Sequence, residues 1–160
     1  MAMPPRTRVP APAPTRSVLN EELFDLFFDL FGPLRGHFAA SAAAVGVSPV
    51  QAKTLRLLET PRPMRELAVA LECDASYVTG IVDQLESLGL VERQPDPGDR
   101  RVKQIRITRQ GRTARKRFEA LLFGDLPGTR GVPDAELVRL RDGLRRIRDG
   151  VRAGRADRTG

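Results

Sequence analysis

The chain has 160 residues, 41% of them hydrophobic and 29% charged, which suits one soluble domain with a core of its own. Its 27 Lys and Arg outweigh 20 Asp and Glu, for a net charge of +7; that balance suits a polyanionic partner such as nucleic acid. No apolar run approaches the roughly 18 residues of a membrane span, the start of the chain has no apolar signal-peptide core, and a single cysteine, Cys73, excludes an internal disulfide, so a cytoplasmic protein without a membrane partner is expected.

Residues 1–17 alternate proline with small residues and arginine, a composition that cannot build a core and is expected to form a disordered tail. A first helix is expected over about 20–45. It carries two offset apolar stripes, one of leucines (Leu19, Leu23, Leu26, Leu30, Leu34) and one of phenylalanines (Phe24, Phe27, Phe28, Phe31, Phe38). A surface helix needs one apolar face. A helix with two must be covered twice, and a second copy of the chain is the simplest second cover. Gly32-Pro33 is expected to kink this helix.

A second helix is expected over about 48–60, with Ser48 as N-cap, Pro49 at the first helical position and Gln51 completing a capping box. Met64, Leu67, Ala68 and Leu71 mark a third helix over 64–71. Asp74 then opens a fourth that runs to Leu88, with Val78, Ile81, Val82, Leu85 and Leu88 as its buried stripe and Gly89 as a left-handed cap. Two short helices joined by the turn Glu72-Cys73-Asp74 make a helix-turn-helix. Leu90 to Gln94 reads as a strand, 95–99 as a turn, and Lys103 to Ile107 as the returning strand of a hairpin. A fifth helix over about 109–123 uses Ala114, Phe118, Leu121 and Leu122 as its apolar side. A sixth, opened by Pro133 and running to about Val151, carries a narrow seam of Leu137, Leu140, Leu144, Ile147 and Val151 that wants a partner helix.

The outward face of the fourth helix presents Ser76, Tyr77, Thr79 and Gly80 in its first turns, where a helix inserted in the major groove meets base edges. The bland alternative is that these are ordinary solvent-facing residues. The hairpin that follows weighs against it. From Arg93 to Arg117 there are ten Lys or Arg and two acidic residues, Asp96 and Asp99, and a basic hairpin tip with Arg100 and Arg101 suits a narrow, electronegative minor groove. Asp83, which unpaired would repel phosphates, is expected to pair with Arg93 at the base of the hairpin. Cys73 reads as a small turn residue. His37, the single histidine, has no partners for a zinc site. A chain with one His, one Cys and no phosphate loop offers no catalytic constellation, so neither an enzyme nor a cofactor is expected.

The segments Met64-Arg65-Glu66-Leu67-Ala68, Cys73 through Glu86, Gly89-Leu90-Val91-Glu92-Arg93, Asp99-Arg100-Arg101 and Ile107-Thr108 with Gly111 resemble the MarR family of multiple antibiotic resistance regulators. The resemblance covers about 48–123, with the flanking helices matching by pattern. It implies a mainly α fold with a small β-hairpin wing: a winged helix-turn-helix domain plus N- and C-terminal dimerisation helices. The expected organisation is a tail over 1–17, a dimerisation helix over 18–47, the DNA-binding domain with the fifth helix over 48–123, a loop over 124–132, a C-terminal dimerisation helix over 133–152 and a second tail over 153–160. It further implies a homodimer on palindromic double-stranded DNA, with the fourth helix in the major groove, Arg101 in the minor groove, Asp99 bracing the wing arginine, and Arg62 and Arg65 on phosphates. A repressor released by a small, often aromatic effector is the leading expectation, with Phe28, Phe31 and His37 as candidate effector contacts. An effector-independent accessory or architectural DNA binder is the alternative. Three features depart from the family pattern: Glu72 stands where glycine is usual in the turn, the loop 124–132 is long, and the Pro-rich tail is extra.

Overall fold

A computed structural model of the chain describes residues 13–96, 98 and 103–156, with side chains described to 154. Asp99, Arg100 and Arg101 therefore lie outside the described residues. In chain order the elements are α1 (Arg16–Ala43), α2 (Pro49–Leu57), β1 (Arg62–Pro63), α3 (Met64–Leu71), α4 (Ala75–Ser87), β2 (Val91–Pro95), β3 (Lys103–Ile107), α5 (Arg109–Gly124) and α6 (Asp134–Ala156). The fold is mainly helical with one small antiparallel sheet, the expected class.

The chain divides into two compact units, residues 1–35 and 36–160. In the first, the described part of α1 exposes its apolar residues, Phe24, Phe28 and Phe31 most of all. α1 is a single helix across Gly32-Pro33. The second unit holds the core. Leu55 and Leu58 at the end of α2, Leu67 of α3, Val78, Val82 and Leu85 of α4, Ile105 of β3 and Phe118 of α5 are almost fully buried. Each stands at the helical or alternating spacing that turns one side of its element inward. Phe38 packs edge-on against Phe118, with ring centroids 5.1 Å apart.

Local chemistry fixes where the helices begin and end. The Gln51 backbone N–H donates to Ser48 Oγ at 3.4 Å while the Ser48 N–H donates to Gln51 Oε1 at 2.8 Å, so the capping box is present. α3 ends on Glu72 in the left-handed conformation, at φ 56° and ψ 46°; Glu72 is the non-glycine residue with positive φ among the described residues. α4 ends in a turn closed by Gly89 at φ 69°. Asp74 occupies the N-cap position of α4 with extended backbone, but its side chain makes no capping hydrogen bond.

Four expectations need correction. The sheet has three strands in the order β1-β3-β2, because Arg62 and Pro63 pair with Ile105 and Gln104 on the far side of the wing hairpin. Two residues carry no alternation pattern, so β1 could not be read locally. Leu88 is 45% exposed; it is the C-cap of α4, still bonded through its N–H to Gln84 O, and stands at the helix end beyond the stretch that buries Leu85. Leu121 of α5 is also exposed, while Phe118 and Leu122 supply the buried side. At the other end, α6 continues to Ala156, past the expected limit.

Candidate nucleic-acid interface

α4 buries Val78, Ile81, Val82 and Leu85 against the core, and that choice of face determines what remains outside. Ser76, Tyr77, Thr79 and Gly80 are all exposed. Ser76, Tyr77 and Gly80 share an open groove of about 590 Å³ with Gln84 of α4 and with Ser48, Pro49 and Val50 at the start of α2. A Cβ added at Gly80 would meet nothing within 4 Å, so the helix surface there is open to close approach. Thr79 does not line the groove. Its hydroxyl donates to the Ala75 carbonyl one turn back at 2.9 Å, which leaves an acceptor oxygen and a methyl group facing outward.

The wing is tied to this helix by one arginine. Arg93 of β2 forms ion pairs through Nη2 with Asp83 and through Nη1 with Glu86, both on α4. Its backbone N–H donates to Glu86 Oε1 at 3.2 Å. Burial by itself would lower the guanidinium's pKa; the hydrogen bond to Asp83 and the charges of Glu86 and Asp83 outweigh it and hold the group above its ordinary value. The expected Asp83–Arg93 pair is therefore present, and Glu86 is a second partner that the sequence reading missed.

The far end of the hairpin strands is organised by Asp96. It accepts the Gly98 N–H at 2.7 Å and a hydrogen bond from the Gln104 side chain, so the residue read as plain turn chemistry anchors both sides of the turn. The near end is organised by Thr108. The Thr108 N–H donates to Leu90 O at 3.0 Å, its hydroxyl donates to Gly89 O at 2.7 Å, and the same oxygen accepts the Gly111 N–H at 3.0 Å, capping α5. Helix and strand approach so closely here that a Cβ on Gly111 would sit 2.0 Å from Leu90 O. This seam gives a physical reason for a Thr followed three residues later by Gly.

The remaining expected contacts fall in both units. Arg65 is exposed at the start of α3. Arg62 lies in β1, half-buried, with Nη1 3.6 Å from Glu66 and a buried Nε that has no partner. Among the effector candidates, Phe28 and Phe31 are exposed on the first unit. His37 belongs to the second unit, where its Nε2 lies 2.9 Å from Leu122 O. Among the described residues no cluster of His, Cys, Asp and Glu fit to hold a metal occurs, and no helix is long and apolar enough to cross a membrane.

Comparison with known proteins gives the same answer as the geometry. Residues 47–103, which span α2 to the start of β3, match the MarR family model. The chain is 35% identical over 89 residues to the uncharacterized HTH-type transcriptional regulator YcgE of Bacillus subtilis, covering 54% of this chain and 58% of that one. It is 31% identical over 110 residues to the HTH-type transcriptional repressor NicR of Pseudomonas putida, covering 68% of this chain and 65% of that one. In both cases the matched stretch is under two thirds of the relative's own length. Among solved structures, CouR from Rhodococcus jostii RHA1, bound to p-coumaroyl-CoA, superposes with a TM-score of 0.67 at 30% identity, over 81% of this chain and 93% of that one. A MarR family protein from Bacillus stearothermophilus shares the fold with a TM-score of 0.77 at 23% identity, over 86% of this chain and 99% of that one. The chain belongs to the MarR family of winged helix-turn-helix transcription regulators, which are DNA-binding proteins and not enzymes.

Proposed function

We propose that the protein is a homodimeric, sequence-specific repressor of palindromic double-stranded DNA in the cytoplasm, released by a small aromatic effector. The observation that carries the DNA-binding part is the clamp from Arg93 to Asp83 and Glu86. It holds the wing and the exposed first turns of α4 as one rigid reader, so that α4 enters the major groove while the wing reaches the neighbouring minor groove. Ser76, Tyr77, Thr79 and Gly80 then face base edges. Arg62 and Arg65 contact phosphates, and Arg101, beside Arg100 on the wing, supplies the minor-groove contact, with Asp99 bracing it.

The dimer rests on the uncovered apolar surface. Phe24, Phe28 and Phe31 of α1 and Leu140, Leu144, Ile147 and Val151 of α6 are all largely exposed in the single chain. Fully burying each such side chain contributes about 1.5–3 kcal/mol, which is ample for association when several are covered together. Sedimentation at micromolar concentration tests this reading: a dimer is expected, and a stable folded monomer would refute it.

The repressor and effector parts draw on similarity to a repressor, NicR, and to CouR, solved with p-coumaroyl-CoA. Phe28, Phe31 and His37 are the candidate contacts. A thermal-shift screen with aromatic acids and their CoA thioesters tests them. Stabilisation that falls as operator binding rises is expected for a released repressor. No stabilisation by any member would favour an effector-independent, architectural DNA binder.

A further inference from the structure

Gln51 is a member of the α2 capping box and is 6% exposed. Its side-chain amide makes two hydrogen bonds: Oε1 accepts the Ser48 backbone N–H at 2.8 Å, and Nε2 donates to Gln84 Oε1 on α4 at 2.8 Å. The orientation of both amides follows from the first bond. A backbone N–H can only donate, so the Gln51 atom beside it must be the carbonyl oxygen. The other end of Gln51 must then be its NH₂ group, and the Gln84 atom that receives it must be an oxygen. Gln84 is itself exposed and lines the same open groove as Ser76, Tyr77 and Gly80. Ser76, Gly80 and Gln84 stand four residues apart in succession, along one line of the helix.

We infer that Gln84 is a further base-reading residue, held by Gln51 as a hydrogen-bond donor only, and that it selects guanine on the strand it faces. An unconstrained glutamine typically reads adenine, accepting from N6 and donating to N7. Oε1 is directed at Gln51 on α2, which leaves Nε2 as the amide group turned away from it; the bidentate pairing with adenine is then misaligned, and cytosine, which offers only its N4 donor, is disfavoured. The two N–H bonds of Nε2 match the O6 and N7 acceptors of guanine. Gln51 is thus a positioning residue: it touches no DNA, yet it sets the identity of the base that Gln84 reads. The inference rests on the reading of the outer face of α4 as the recognition face.

The test is selection of bound duplexes from a randomised library by the full chain. In Gln84→Ala the preference for guanine at one position of each half-site should fall from roughly fivefold to none. In Gln51→Glu the capping box is kept, since glutamate is a regular member of it, but both outer atoms of residue 51 are now acceptors. Gln84 must then turn its NH₂ inward and its oxygen outward, and the preference at that position should change from guanine to a base that offers an amino group, cytosine or adenine. Circular dichroism and a thermal melt establish that this variant is folded; if it is not, Gln84→Glu, which presents a bare acceptor oxygen, carries the same expectation. A motif unchanged by Gln84→Ala but altered by Tyr77→Ala would overturn the inference while leaving the recognition face in place. A motif unchanged by both would overturn the recognition face and the inference together. A folded Gln51→Glu or Gln84→Glu protein that still prefers guanine would overturn the donor-only role.

Discussion

Arg93 and Asp83 are ten residues apart in sequence, on the wing and on the recognition helix, and their side chains form an ion pair that Glu86 completes from one helical turn further on. The pair joins the wing and α4, the two elements proposed to face DNA, mechanically. Asp83 is largely exposed and Arg93 mostly covered, with side-chain exposures of 58% and 23%, so the two variants should differ. Asp83→Ala leaves Glu86 on the arginine and should cost under about 1 kcal/mol of stability. Arg93→Ala leaves two carboxylates side by side and should cost roughly 1–2 kcal/mol. Both should weaken binding to all DNA sequences by a similar factor, because the wing is loosened and no base contact is removed. A selected motif that changes in Asp83→Ala would show that Asp83 itself reads bases.

Glu72 ends α3 with φ 56°, where a side chain costs about 1–2 kcal/mol that glycine avoids, part of which returns as the extra unfolded-state entropy of glycine. Glu72→Gly should therefore raise the melting temperature by a few degrees, roughly 2–5 °C. Glu72→Val, branched at Cβ, should lower it. A glycine variant that melts lower than the parent would mean that the glutamate's own contacts outweigh the backbone strain.

Gly111 admits no side chain, because a Cβ would lie 2.0 Å from Leu90 O and 2.8 Å from Ile107 Cγ1. Gly111→Ala must push α5 away from the strand and break the Thr108 seam, at a cost of about 3 kcal/mol or more. Denaturant unfolding measures this, and a loss under about 1 kcal/mol would show that the helix can slide without penalty.

Gly80 lies inside a helix with open space around it, so alanine there should stabilise the fold by roughly 0.5–1 kcal/mol. On the proposed recognition face the added methyl would also stand between helix and base edges. The expected result is a protein that melts higher and binds its operator more weakly. Equal or tighter binding would place Gly80 away from the DNA.

Arg101→Ala should leave the melting temperature unchanged and weaken operator binding by about 1–3 kcal/mol per half-site. Affinity should also fall by orders of magnitude between about 50 and 200 mM salt, as expected for many phosphate contacts. A flat salt response would mean that the basic surface is not the binding face.

Much of the site was legible because its determinants are local. The capping box at Ser48, the left-handed cap at Gly89, the buried stripe of α4 and hence its outer face all follow from spacing within one element. Even Asp83 and Arg93 were recoverable, since a carboxylate beside a DNA-facing surface needs a cation and few were near. Other features depended on segments far apart in sequence. β1 exists only because β3 lies beside it. The exposure of Leu88 depends on where α4 stops relative to the core, and periodicity alone extended the stripe one residue too far.

The sequence by itself determined the helix-turn-helix, the wing, the basic charge of the hairpin region and the surplus of apolar surface on the first and last helices, because binary pattern, caps and turns act within a few residues. Only the tertiary structure decided which long-range polar partners meet. Gln51 and Gln84 are 33 residues apart and hydrogen-bonded, and Thr108 bridges to Gly89 across the whole wing. A glutamine or a threonine has several possible partners, and its sequence neighbours do not say which one the packing of helices will bring within 3 Å. The backbone contact that makes Gly111 obligatory is of the same kind: a close approach is a property of two elements in space, and no residue type in the chain announces it.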